Sequence, residues 1–326
     1  MKKIALLAAV LLLGMALVAH GGEMKRFRIA TAGTAGALYP MGVLMAETIN
    51  KHLPQFRASA ESSAGSVANL RNLHAGRVEW GISQGDMAWF AFRGMGPFKG
   101  KRMPELRALF QTLPGWVQIF VRADSGIHSI RDFKGKKISV GRAGSGGEVD
   151  SRLILKFYGL TYKDIKPQFL SEKEGVEALK SRTIDGLIAT HPLRSAAFLD
   201  LTNSIKVRML ELADDAFYER YPFFEKGVIP PGTYKHIDYP VTSAKIWVVM
   251  LTTTKAPFTA EDIYQLLKTI FDHRDEWKDA HAAVRKYVKL SNALRGLAIP
   301  LHPGAVKFYR EKGFEIPAHL IPPEMK

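Results

Sequence analysis

The sequence predicts an α/β protein of two lobes, each a mostly parallel sheet flanked by helices, with a two-strand hinge between them. Three observations carry that expectation. Short apolar runs alternate with helix-period segments in βαβα order, which indicates a parallel sheet with crossover helices. Three strand-to-helix junctions are rich in glycine and serine, at 32–40, 62–66 and 141–147. Two apolar β-type runs, at 117–122 and 246–252, stand where one α/β set gives way to the other.

The elements follow in order. Residues 27–31 are a short strand, and Pro40 sits in a first helical turn, where proline is tolerated, ahead of a helix over 41–49. A strand at 56–60 leads to Ser66, a candidate cap for a helix over 67–75. A strand at 80–83, a helix over 86–92 and a strand at 106–110 complete the first set. The second set runs from the strand at 117–122 through strand 137–140, helix 148–158, strand 168–170, helix 175–181, strand 186–189, helix 193–199 and strand 207–210. Residues 222–240, with Pro230, Pro231 and Gly232 at their centre, read as loop. After the β run at 246–252 the chain is helical, over 260–272, 280–287 and 304–311, the last started by Pro303. The chain crosses between lobes near 115–121 and 242–249. One lobe then comprises 22–116 with 250–326, and the other 117–249. Two lobes on two strands leave a cleft that can hinge.

Length and composition fit this layout. The chain has 326 residues, room for two ordinary domains, and 47% apolar residues, enough for substantial cores. Cysteine is absent, which excludes disulfides, thiolate metal sites and a cysteine nucleophile. Residues 1–21 read as a cleaved signal peptide: Lys2 and Lys3 precede an apolar run over 4–18, and Ala19 and Gly21 supply the small residues of a cleavage site. The run is short for a membrane span of roughly 20 residues, and no second long apolar run follows. Location in the periplasm is the expectation. The formal charge of +15 comes from 46 basic against 31 acidic residues. These are interleaved, with no basic run and no aromatic nucleic-acid-binding strand, so the excess reads as a solvated basic surface and no nucleic acid partner is expected.

The glycine junctions carry the chemistry. A strand entering a helix through glycine presents unpaired N–H groups and the positive end of a helix dipole, which suits an anion. In an open α/β sheet such turns gather at the carboxyl ends of the strands, where ligands bind. Candidate contacts are Thr34, Gly36, Ala37, Leu38 and Tyr39 from the first turn, and Ser63, Ala64 and Ser66 from the second. Gly144, Ser145, Gly146 and Gly147 come from the third, with Arg142 just upstream to grip a carboxylate bidentately. Gln84 at a strand end can both donate and accept, and His191 after another strand can donate. Asp86 reads as a helix cap, and Trp116 as a cleft wall or a core residue. Catalytic patterns fail on spacing. Residues 96–102 lack the gap and the Ser/Thr of a phosphate loop, no turn completes G-x-G-x-x-G, and Gly144-Ser145-Gly146 is not a nucleophile elbow. The histidines show no metal-ligand spacing, and Asp214 and Asp215 read as a helix start. No catalytic residue, metal or cofactor is expected.

The ordered turns resemble the TAXI family of extracytoplasmic solute receptors, the binding subunits of one class of TRAP transporter. The matching stretches are 29–36 with Tyr39 and Pro40, 65–70, 94–100, 121–127, 144–146, and 301–305 with Tyr309. The resemblance implies a two-lobed periplasmic binding protein of type II character, closing on a small carboxylate ligand, an organic acid or an acidic amino acid, and delivering it to a TRAP-type membrane permease; a monomer is expected. Carried across by position, it implies contacts from Thr34 to Tyr39, from Ser63 to Ser66, from Gln84 and from Gly144 to Gly147. Two rivals remain: an ABC-type binding protein for an oxyanion or nitrogenous solute, and a periplasmic enzyme on the same scaffold.

Overall fold

A computed structural model describes residues 24–34 and 36–326. The signal-peptide reading of 1–21 lies outside the described residues, as does Ala35. One mixed sheet runs through both lobes. Its first lobe holds β1 (Lys25–Ala30), β2 (Phe56–Glu61) and β3 (Trp80–Gln84), parallel to one another in the order β2-β1-β3. Between them run α1 (Leu38–His52) and α2 (Ser66–His74), with α3 (Gly85–Arg93) after β3. The second lobe holds β5 (Lys137–Ser139), β6 (Lys166–Gln168) and β7 (Gly186–His191), again parallel about β5. Its helices are α4 (Gly146–Phe157), α5 (Glu172–Lys180) and α6 (Ala196–Ser204). Each β–α junction therefore opens toward the carboxyl edge of its own parallel set, as the right-handed crossover requires.

Two long strands join the lobes. β4 (Leu106–Arg122) and β10 (Val241–Thr253) pair antiparallel from Leu106 opposite Thr253 to Trp116 opposite Lys245. β4 continues into the second lobe against β7, while β10 meets β3 in the first. The sequence predicts two separate strands, at 106–110 and 117–122. The structure instead carries one through Pro114 and Gly115. Proline has no N–H to give a ladder, and the register opposite it shifts between Trp247 and Val249, so the missing donor falls at an irregularity.

The short β8 (Val207–Met209) pairs with β4, and α7 (Asp215–Arg220) follows with Asp214 as its cap. β9 (Glu225–Ile229) lies within the stretch read as loop, and it is a strand because β10 pairs with it from Val241 to Lys245. Two charges and a glycine in five residues hide it. Gly227 is needed there, since a Cβ would stand 2.8 Å from the Trp116 ring. The C-terminal α8 (Ala260–Asp272), α9 (Ala282–Tyr287) and α10 (Pro303–Glu311) contribute to the apolar cluster that covers β1 and β3.

The cores divide in the same way. One apolar cluster packs α1, α8 and α10 against the first lobe's sheet, with Trp80, Phe110, Leu266 and Phe308 buried in it. Two smaller clusters flank the second lobe's sheet, one around Phe133, Ile154 and Phe217 and the other around Phe120, Phe198 and Tyr234. Trp116 packs at the edge of the last of these and does not wall the cleft. Val149 of α4 is the exception that matters: it sits in the second lobe's helix yet belongs to the first lobe's core.

Candidate functional site

The carboxyl ends of β1, β2 and β3 face those of β5, β6 and β7 across a cavity of about 340 Å3, within the size range of small-ligand sites. Each wall is built from a junction that turns sharply into a helix. The first N–H groups of a helix have no partner inside it, so α1, α2, α4 and α5 each bring free donors and a positive dipole end to this space.

The structure brings Thr34, Gly36, Ala37, Leu38, Ala64, Ser66, Gln84, Arg142, Ser145, Gly146, Gly147 and His191 to the cavity wall. Tyr39, Ser63 and Gly144 stand outside it. Tyr39 lies within the first turn of α1. Ser63 is occupied structurally: its hydroxyl donates to the Thr31 carbonyl at 2.9 Å and accepts the Gly65 N–H at 3.0 Å. Gly144 is used against the other lobe, its carbonyl accepting the Ala68 N–H at 3.1 Å.

Two capping expectations are corrected. Ser66 is the first residue of α2, not its cap, and Gly65 holds the cap position with φ of 115°, a conformation glycine tolerates. The freed Ser66 hydroxyl accepts the Gln84 N–H at 3.1 Å. Asp86 does not cap α3 either. It lies one residue inside the helix, and neither carboxyl oxygen makes a hydrogen bond. It does not line the cavity. By contrast Ser145 does cap α4, accepting the Glu148 N–H at 3.1 Å.

The lobes meet on one side of the cavity. Gln84 Nε2 donates to Asp150 Oδ2 at 2.7 Å across the seam, and Thr190 Oγ1 donates to the same oxygen at 2.7 Å. Gly146 is closely covered, since a Cβ there would stand 1.5 Å from Gln84 Oε1. Phe90 and Phe223 touch edge to face at 5.5 Å. At the mouth the exposed Arg142 reaches from the second lobe to the first, donating to the Ser63 carbonyl at 3.4 Å. The seam is acidic and dry. Burial pushes Asp150 up to about 7, with the Glu148 charge adding to the rise while Thr190 and Gln84 hold it down. Burial, and then the charge of Asp150, raises Asp86 well above the usual carboxylate range.

The segment from Leu170 to Gly175 also lines the cavity, and the sequence reading missed it. The turn from β6 into α5, at 169–171, holds no glycine. Its signal is Ser171 followed three residues later by Glu174, a capping box that the structure forms in full. Glu172 at this junction points its carboxylate inward, its Oε1 accepting the Ser195 hydroxyl and its Oε2 lying 3.6 Å from His191 Nδ1. The carboxylate stands between hydroxyl and imidazole. That order differs from a catalytic triad, in which the imidazole takes the serine proton.

The NMT1-like family profile matches residues 29–313, nearly all of the chain. The chain belongs to the NMT1-like family. This match overturns the TAXI assignment, and the TRAP-type permease that the assignment implied falls with it. Of the stretches that suggested TAXI, 65–70 and 144–146 fall at strand-to-helix junctions, a feature general to α/β folds. Among solved structures, the NMT1-like chain is similar to PhnD1 from Prochlorococcus marinus in complex with methylphosphonate. The TM-score is 0.51 at 10% identity, over 77% of this chain and 85% of that one. It is also similar to the alkanesulfonate-binding protein SsuA from Xanthomonas axonopodis pv. citri bound to MOPS, with a TM-score of 0.48, 18% identity, and coverage of 89% and 92%. The fold is the two-lobed one of periplasmic binding proteins. Among the described residues no helix is long and apolar enough to cross a membrane.

Proposed function

We propose that this NMT1-like chain is an extracytoplasmic receptor that closes its two lobes on a small oxyanion-bearing solute and hands it to an ABC-type membrane transporter. The observation that carries the reading is the cavity itself, walled from both lobes by helix N-termini and bounded by a seam at which the lobes already touch. Backbone N–H groups and Arg142 suit any oxyanion, whether carboxylate, sulfonate or phosphonate. The methylphosphonate complex of PhnD1 supports that breadth, and the narrower carboxylate expectation is not retained. An ABC-type transporter is the partner this reading takes, because the TRAP-type permease stood only on the overturned resemblance. In this reading the chain binds its solute and passes it on without transforming it, and Glu172, which accepts the Ser195 hydroxyl at the cavity wall, serves binding.

The cleaved signal peptide over 1–21, the periplasmic location and the lobe boundaries of 22–116 with 250–326 and 117–249 belong to this proposal. A ligand that binds only the native state raises the melting temperature by mass action. A panel of short carboxylates, sulfonates and phosphonates is therefore expected to contain members that raise it in a concentration-dependent way. A panel in which every member leaves the melting temperature unmoved overturns the reading. Among the contacts, Arg142→Ala is expected to weaken binding of any active member by about tenfold, the scale of one lost charge-assisted contact.

A further inference from the structure

A pocket built only for an anion has no use for a buried carboxylate, and this one contains Glu172. Its side chain is 5% exposed and lines the cavity. An ionised carboxylate accepts at about four lone-pair positions. Among the described residues Glu172 has one hydrogen-bonded donor, the Ser195 hydroxyl. The Nδ1 of the neighbouring His191 stands 3.6 Å away, beyond hydrogen-bonding distance. No lysine or arginine among the described residues forms an ion pair with it. Across from it in the first lobe a Cβ on Gly36 would lie 3.8 Å from Glu172 Oε2, and glycine supplies no side-chain donor at that point. A buried charge short of donors is costly. Because Glu172 lines the cavity, a bound solute can bring it further donors.

We propose that the solute carries an ammonium group as well as its oxyanion, and that Glu172 receives the ammonium. This deepens the receptor reading and rests on it. The helix N-termini and Arg142 hold the oxyanion, and Glu172, backed by Ser195, holds the cation between the lobes near Gly36. The solute class is a short zwitterion: an amino carboxylate, aminosulfonate or aminophosphonate. Contact with Glu172 from one lobe and the Gly36 turn from the other would make the amine a closing contact as well as a selective one.

Matched pairs test this on the full mature chain. The probes are 2-aminoethanesulfonate against ethanesulfonate, 2-aminoethylphosphonate against ethylphosphonate, and 3-aminopropanoate against propanoate, each measured by calorimetry and thermal shift. In at least one pair the aminated member is expected to bind about tenfold or more tightly than its partner. In Glu172→Gln, which keeps an acceptor for Ser195 but loses the charge, that ratio is expected to collapse toward one. Equal binding within every active pair overturns the ammonium site and leaves the receptor reading standing. A Glu172→Gln variant that keeps the full ratio does the same. Binding by no member of any pair overturns both. The comparison within the parent chain does not depend on any variant folding.

Discussion

Asp150 shows how a single residue couples the two lobes. Its Oδ2 accepts from Gln84 of one lobe and Thr190 of the other, while Oδ1 has no partner. Asp86, with two unpartnered oxygens, lies near enough for each acid to resist the ionisation of the other. Burial raises Asp150 from 3.8 to about 7 in the folded chain. The native state thus holds the proton more tightly than the unfolded one. The stability this gives is complete below the unfolded value and is lost as pH rises through the window up to about 7. Asp150→Asn cannot ionise and keeps an oxygen for Gln84 or Thr190. Its melting temperature is expected to match or fall below the parent's near about pH 5 and to exceed it near about pH 8. Parallel melting curves at all pH values would contradict the buried-acid reading. At this scale the sequence was partly legible. Gln84 and Arg142 could be named from their place after a strand. Glu172 could not, because a glutamate at the first turn of a helix is ordinary capping chemistry until tertiary structure turns it inward. Asp86 was named for the wrong role, because its burial depends on the seam.

The elements were more legible than the residues, and for a physical reason. Glycine after a strand marks a backbone that must turn tightly, and that need is local. It placed the starts of α1, α2 and α4 within a few residues. The junction before α5 turns without glycine and carries only the Ser171–Glu174 capping box as its local signal, while β9 is held in place by its pairing with β10 and has none. The α4 start gives two predictions. Ser145→Ala removes the acceptor of the Glu148 N–H and is expected to cost about 1 kcal/mol of stability, read by denaturant melts. Gly146→Ala acts differently. Its Cβ would collide with Gln84 Oε1 at 1.5 Å and Cδ at 2.5 Å, both from the opposite lobe. Both atoms belong to the flexible end of Gln84, and alanine is at home in a helix, so the chain is expected to fold with Gln84 swung aside and its bond to Asp150 given up. The melting temperature is expected to fall below the parent's by the scale of one lost buried hydrogen bond, about 1 kcal/mol or more; an unchanged melting temperature would show that the lobes do not meet through this contact.

At the scale of the whole molecule, the two crossing strands were foreseeable because each is an apolar β run with α/β units on both sides. Their continuity through Pro114 was not, since proline ordinarily ends a central strand, and only the register shift opposite it explains the exception. How far the lobes close is a tertiary property with no sequence signal, yet it leaves a measurable mark. A Cβ on Gly144 would stand 3.7 Å from the Ala64 Cβ of the other lobe, the separation found in natural disulfides. The parent chain has no cysteine to interfere. Ala64→Cys combined with Gly144→Cys is therefore expected to oxidise to one intramolecular disulfide that locks the lobes together. The cysteine at 144 must accept a φ of 83°, at a strain of about 1–2 kcal/mol, which the closed seam has to offset. If closure is linked to binding, an active solute is expected to speed the oxidation, because it shifts the population toward the state in which the two sulfurs meet. Thiol titration after oxidation reads the outcome. Two free thiols remaining with and without solute would mean that the lobes do not come together along Ala64 and Gly144, and the closed cleft on which the receptor reading depends would be lost.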